Sequence, residues 1–421
     1  MCDANKTACS VLHTDDESSG MKTIDSILVR YGEIGIKSDR VRSRYEHALV
    51  NNIEKALGFC EIPFDAVVRD FGRIFVHTQE TAAAPAVARV FGVVSVSPVQ
   101  TSVATLDAMK DAALRIISPL LTEDKSFGIR ARRTGTHDYS STDIGVTVGG
   151  AIEKATRAPV RLTKPDVPLF IEVRAERAYI YTEVIRGVGG LPLGTQGKVI
   201  ALISGGIDSP VAAWLMMKRG CTIVPLFFDC EPYTGDAGRE RALAVVKALA
   251  VWAGRPLDLA IVQHGDSLGQ FRKLAPRATC ILCKRMMYRI AASIAKAERA
   301  HGIVTGESIG QVASQTTQNL LAIDQASDAP IYRPLIGLDK TESIQLARRI
   351  GTYRLSTADH PAVCGAAHRH PTTNADLAEL KAIETQLPLR ELTTAASKSL
   401  TWQRIFPEKP FRWVLCPERK A

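Results

Sequence analysis

At 421 residues the chain has room for two to four domains, and its 46% apolar and 23% charged residues exclude a disordered or fibrous protein. No run approaches the roughly 18 uninterrupted apolar residues of a membrane span. A net charge of +9 favours an anionic partner such as nucleic acid, although a solvated basic surface explains it about as well. Residues 1–20 have neither a basic leader region nor an apolar one and read as a disordered extension carrying Cys2 and Cys9, with Met21 as an alternative start. Nine irregularly spaced cysteines are not a secreted disulfide framework, so the chain reads as cytoplasmic, its cysteines buried, metal-bound or catalytic.

In chain order, Ser26 to Tyr31 reads as a strand and Asp39 to Leu57 as an amphipathic helix. DAVVRD and GRIFVHT form a hairpin around Gly72, which makes residues 21–80 a small α+β unit. A second α+β unit, residues 81–186, runs helix (82–91), strand (93–99), helix (105–120), strand (126–133), helix (141–156) and a hairpin of PLFIEVRAE with AYIYTEVIRG. The stretch 187–197 holds five glycines and a proline and reads as a linker. From 198 to 421, KVIALIS, CTIVPLFF and LDLAIVQ are continuous apolar runs between helical segments, the pattern of parallel strands buried on both faces of a doubly wound α/β sheet, here with a C-terminal helical extension.

After KVIALI comes Ser204-Gly205-Gly206-Ile207-Asp208-Ser209, then a helix with Pro210 in its first turn. Strand, glycine-rich turn and helix make an anion site: backbone N–H groups approach a phosphate, the helix dipole adds positive potential, and Ser204 and Ser209 offer hydroxyls. Neither a Walker A loop nor a dinucleotide fingerprint is present. The SGGxDS loop resembles the PP-loop of ATP pyrophosphatases, which release pyrophosphate and leave AMP on a substrate oxygen.

With LVRYGEIGIKS near the start, LISGGIDSPVAAWLMMKRG at the loop and TGESIGQVASQT from Thr305 to Thr316, the chain resembles the tRNA 4-thiouridine synthase (tRNA sulfurtransferase, ThiI) family over nearly all of residues 21–421. The resemblance implies a ferredoxin-like domain, then a THUMP domain that binds RNA, then the PP-loop domain. It implies an ATP site lined by Leu202, Ile203, Ser204, Gly205, Gly206, Asp208, Ser209, Phe227, Phe228, Arg285, Gly306 and Gln315, most of them at or beyond the carboxyl ends of the expected parallel strands, where such sheets bind ligands. For RNA the residues themselves offer Arg130, Arg132 and Arg133, with Arg130 and Arg132 on one face of a strand.

Cys280 and Cys283 form a C-x2-C pair entering the helix KRMMYRIAASIAKA, whose Met286, Ile290 and Ile294 recur at helical spacing. Alone the pair is compatible with zinc, an iron–sulfur cluster or a redox disulfide. Cys364 matches the position of the family's catalytic, sulfur-handling cysteine and would be a third thiolate, enough for a [4Fe–4S] or [3Fe–4S] cluster with an iron left free for sulfide. Better-known bacterial members add a rhodanese domain; this chain ends without room for one after Cys416 and resembles the archaeal type.

The expected reaction is attack of O4 of uridine 8 in tRNA on the α-phosphate of ATP, loss of pyrophosphate, and displacement of AMP by sulfur, with Asp208 orienting Mg²⁺ or a hydroxyl and Arg285 neutralising phosphate. The sulfur comes from sulfide or a cysteine desulfurase persulfide, and a homodimer is an open assembly state. Rivals are sulfur transfer to a carrier protein for the thiamin thiazole and a PP-loop amide-forming enzyme acting on a small molecule. A non-catalytic RNA-binding protein is disfavoured because Ser204, Gly205, Gly206 and Asp208 are all present.

Overall fold

Beyond Asp25 the chain begins with β1 (Ser26–Tyr31), α1 (Asp39–Phe59), β2 (Ala66–Asp70), β3 (Arg73–His77), α2 (Ala83–Ala88) and β4 (Val93–Val103). The computed structural model describes residues 24–70, 72–358 and 364–408; the expected N-terminal extension with Cys2 and Cys9, and Cys416, lie outside them. In α1 the residues Tyr45, Leu49, Ile53 and Leu57 fall at every fourth position and are all buried. β3 pairs antiparallel with both β1 and β2, and the chain turns between β2 and β3 at Gly72. By contacts the chain divides into two units: Asp25 with residues 99–182, and residues 26–98 with 183–421.

The smaller unit holds the end of β4, then α3 (Leu106–Ile117), β5 (Phe127–Thr134), α4 (Ser141–Thr156), β6 (Val167–Arg174) and β7 (Arg177–Tyr181). β5 and β6 run parallel, while β7 pairs antiparallel with β6 and with the end of β4. Side chains of α3 and α4, among them Met109, Ile117, Ile144 and Val148, close a core over Phe127, Leu169, Ile171 and Ile180. The start of α4 is set by a reciprocal capping box between Ser140 and Asp143. On β5 Arg130 and Arg132 are exposed on one face, as the alternation requires, and Arg133 is exposed as well.

The run AYIYTEVIRG does not continue as one strand: β7 stops at Tyr181, and β8 (Ile185–Arg186) pairs with the first half of β4. Nor is the glycine-rich stretch a free linker. Gly187 N and Gly189 N donate to Val94 O and Val93 O (2.8 and 2.7 Å), and Leu191 N donates to Lys218 O (2.9 Å), so its glycines serve close backbone approach.

The rest of the larger unit is β9 (Lys198–Leu202), α5 (Asp208–Lys218), β10 (Thr222–Asp229), α6 (Asp236–Ala253), β11 (Leu257–Gln263), α7 (Gly265–Leu274), α8 (Thr279–Ala297), β12 (Ile303–Val304), α9 (Thr317–Asp324), β13 (Ile331–Tyr332), α10 (Lys340–Ile350), α11 (Tyr353–Thr357), α12 (Leu377–Thr385), α13 (Leu389–Lys398) and β14 (Thr401–Ile405). The sheet order is β13-β12-β9-β10-β11-β14, parallel except for β14. Both faces are covered, which explains the continuous apolar runs: Val199, Ala201 and Ile223 enter one core while Ile200, Val224 and Leu226 enter the other. The C-terminal part is not purely helical, because TWQRI follows α13 as an edge strand paired with β11. Among the described residues no helix is long and apolar enough to cross a membrane.

One buried ion cluster ties α8 to α12. Glu384 accepts from Arg285 Nε and Nη2 (both 2.7 Å) and from Arg289 Nη1 and Nη2 (2.8 and 2.7 Å), and Arg285 is only 1% exposed. Burial opposes the Glu384 charge, but the two guanidinium groups outweigh it and hold the carboxyl below its usual range. Removing one partner strands a buried charge. Glu384→Ala is therefore expected to cost about 3–5 kcal/mol in denaturant unfolding, whereas Lys247→Ala, which removes the exposed Lys247–Glu408 pair, should cost less than about 1 kcal/mol. Equal effects would contradict this account.

Candidate active site

The sheet changes winding direction between β9 and β12, so the loops after these strands part and leave a crevice at their carboxyl ends. The Ser204–Ser209 turn fills one side. Ser209 Oγ accepts from Ser204 N and donates to Ser204 O, both at 3.0 Å, and lies 3.2 Å from Ser204 Oγ. The two hydroxyls thus staple the turn as well as facing an anion, which leaves the backbone N–H groups at the start of α5 as the main phosphate donors. Gly205 is required by packing: a Cβ there would lie 2.7 Å from Arg241 Cβ.

The turn after β12 closes over the same helix start. A Cβ on Gly306 would come within 2.7 Å of both Asp208 C and Ser209 N. Asp208, in the first turn of α5, accepts from Lys340 Nζ (2.8 and 3.0 Å) and from Gln311 Nε2 (2.9 Å). Lys340 opens α10, whose start is fixed by an Asp339–Glu342 capping box. Sequence reading missed Lys340; the available signal was the D-x-x-E box, which sets this lysine at the helix start.

The other expected nucleotide residues divide. Leu202 and Ile203 end β9 beside the loop, with Ile203 4% exposed and facing the α5 core. Phe227 and Phe228 point to opposite faces of the sheet, Phe227 into the core with Trp214 and Phe228 into the core with Met286. The Gln315 Oε1 is buried and meets no donor among the described residues, so it is poised to accept one. Arg285 is a correction. Its guanidinium is committed to Glu384 and to the carbonyl of Ala322, which leaves it no free face for phosphate. A lysine also replaces it as the neighbour of the TGES turn: Lys284 Nζ donates to Glu307 Oε1 at 2.8 Å. Burial opposes the Glu307 charge, yet Lys284 and Arg333 hold its carboxyl at about 2.

The cysteines gather at the carboxyl ends of β10 and β11. Cys280 and Cys283 lie inside the first turn of α8, not ahead of it, because the helix starts at Thr279. Their i,i+3 spacing puts both on one side. Burial raises the Cys280 thiol, and a charge on Cys364 raises it further. Burial raises Cys283 well above its ordinary value, with added repulsion from Cys230, Cys280 and Cys364. Cys364 packs against the same apolar cluster that contains Cys283 and Cys230.

Sequence reading missed Cys230, the residue after β10, and His264, the residue after β11. Cys230 is pushed up to about 12 by burial and by Cys364, Asp229 and Glu231. His264, 1% exposed and lowered by burial to about 4, has its Nε2 at 3.3 Å from Cys283 Sγ; its ring meets Phe228 edge-on at 5.5 Å. Among the described residues no three His, Cys, Asp or Glu side chains converge where a single metal ion would sit. A mononuclear zinc site therefore does not fit. Soft thiols arranged round a shared pocket, each held protonated until a cation compensates its charge, suit a larger cluster.

Three family models match the chain: the ThiI ferredoxin-like domain over residues 26–97, the THUMP domain over 103–183 and the thiamine biosynthesis protein (ThiI) over 194–389. A probable tRNA sulfurtransferase of Methanosarcina mazei is 44% identical over 385 residues, covering 90% of this chain and 95% of its own. One from Moorella thermoacetica is 37% identical over 389 residues, covering 91% and 98%. Among solved structures, a 4-thiouridine synthetase in complex with RNA and with bound ATP is 33% identical, with a TM-score of 0.83 over 91% of this chain and 100% of that one. A Pyrococcus horikoshii protein is 29% identical, with a TM-score of 0.64 over 78% of this chain and 100% of its own. With its strand, glycine turn and helix at the switch of the sheet and its cysteines on the neighbouring strand ends, the chain belongs to the ThiI family of tRNA sulfurtransferases.

Proposed function

We propose that this sulfurtransferase adenylates O4 of uridine 8 in tRNA and replaces that oxygen with sulfur, using two half-sites side by side on one sheet edge. The observation that carries the proposal is the adjacency itself. The phosphate turn with Asp208 and Lys340 follows β9 and β12, and the thiols follow β10 and β11, the next strands of the same parallel sheet. The ATP-bound, RNA-bound relative supports both ligands.

The first half-site acts on ATP. Backbone N–H groups at the start of α5 hold the phosphates, and Lys340 supplies the positive charge first expected of Arg285. Asp208 is the hard oxygen ligand that would suit the Mg²⁺ carried with ATP, and Lys340 and Gln311 hold its carboxylate in place. Gln315 Oε1 offers an acceptor for an N–H of the base. The unit of residues 99–182 holds the RNA, with Arg130, Arg132 and Arg133 contacting phosphates without reading sequence.

The second half-site handles sulfur. Cys280, Cys283 and Cys364 would hold a [4Fe–4S] or [3Fe–4S] cluster, which when bound supplies an iron that accepts sulfide. Sulfide or a cysteine desulfurase persulfide is the source. Burial keeps these thiols protonated in the free chain, so they do not attack the adenylated base prematurely.

Asp208→Ala and Lys340→Ala are each expected to lower tRNA-dependent pyrophosphate release ~100-fold or more, with tRNA affinity unchanged. Wild-type turnover in both variants would remove the turn from the chemistry. For the second half-site, Cys364→Ala should abolish thiolation while pyrophosphate release continues, and Cys280→Ala and Cys283→Ala should do the same. Full thiolation by the two C-x2-C variants, together with iron-free protein from anaerobic purification, would leave Cys364 acting alone as a persulfide carrier.

A further inference from the structure

Four thiols, not three, share the sulfur pocket. Cys230 follows the last residue of β10 and is 6% exposed. It belongs to the same apolar cluster as Cys283, against which Cys364 also packs. Two backbone tethers hold this arrangement. Tyr233 N donates to Cys230 O and Gly365 N donates to Tyr233 O, both at 2.8 Å, which fastens the residue after Cys364 to the turn that Cys230 begins. On the other side His264 N donates to Asp229 O at 2.7 Å, and the same residue's Nε2 reaches Cys283 Sγ at 3.3 Å.

Cys230 makes little use of its sulfur as a hydrogen-bonding group, since its contact is a 3.7 Å approach to Phe228 O. A buried cysteine often serves only as a small apolar side chain. Here, however, a charge on Cys230 would be felt by Cys283, and one on Cys364 by Cys230. Gathering four thiols at one strand end is costly for anions and favourable for a bound cationic centre.

Building on the cluster reading of Cys280, Cys283 and Cys364, we infer that Cys230 is a fourth thiolate ligand that caps the iron those three cysteines leave open. His264 is the positioning residue that holds Cys283 toward the same pocket. A capped centre keeps its fourth iron under mild oxidation, whereas a three-cysteine centre sheds it.

The test uses full-length protein purified and reconstituted anaerobically, then treated with ferricyanide, with iron counted per chain and EPR recorded. Wild type should retain its iron. Cys230→Ala should lose roughly one iron in four and show the signal of a three-iron cluster. Cys230→Ser, closer in size and still carrying an oxygen donor, should lose it more slowly, and carries the comparison if the alanine variant fails to fold. Equal loss or equal retention in wild type and variants removes Cys230 from the site and leaves the three-cysteine reading standing. No iron in any reconstituted protein, wild type included, overturns both, and the wild-type iron content tells these outcomes apart.

Discussion

The approach of Gly306 to the first turn of α5 is the constraint on which the site depends. A single added carbon would lie 2.7 Å from backbone atoms of Asp208 and Ser209. That contact is possible only because β9 and β12 are neighbours whose following helices lie on opposite sides of the sheet. It brings the Thr305–Thr316 loop, with Gln311 and Gln315, over the helix start that carries the phosphate-binding N–H groups. It also brings α10 near enough for Lys340 to meet Asp208 across 132 positions of sequence. Strain is avoided by the missing side chain, not by a left-handed backbone, so this glycine answers to packing.

From the same sheet follows the separation of the two chemistries. Strands β9 and β12 present charge and backbone donors, which suit phosphate, while β10 and β11 end in a pocket of cysteines and aromatic rings. His264 touches both, its ring edge-on to Phe228 and its Nε2 near Cys283. Because burial holds the thiols protonated, sulfur chemistry waits on a cation or an incoming sulfur species. The phosphate turn is partly open to water and needs no such activation.

How much of this was legible in the sequence depends on the range of the interaction. Local patterns carried the helix at Ser141–Thr156, the strand at Ser26–Tyr31 and the SGGxDS turn, since capping, alternation and glycine spacing are short-range signals. The exposed pair Arg130 and Arg132 followed from the two-residue period of a strand. What escaped were partners distant in the chain. Nothing near Arg285 announces Glu384, 99 positions away, so a buried structural arginine was taken for a phosphate ligand. Cys230 and His264 each look ordinary in sequence and gain meaning only when β10 and β11 lie in register. TWQRI was overshadowed by the two helices before it, and only pairing with β11 makes it a strand.

The central claim is that activation and sulfur insertion are separate acts at adjoining half-sites of one chain. The most direct measurement mixes the enzyme with tRNA and ATP in the absence of any sulfur source and follows pyrophosphate over a single turnover, before sulfide is added. The account predicts a burst of pyrophosphate that requires tRNA with uridine at position 8, followed by thiouridine only after sulfide arrives. Pyrophosphate that forms equally well without tRNA, or none until sulfide is present, would contradict it.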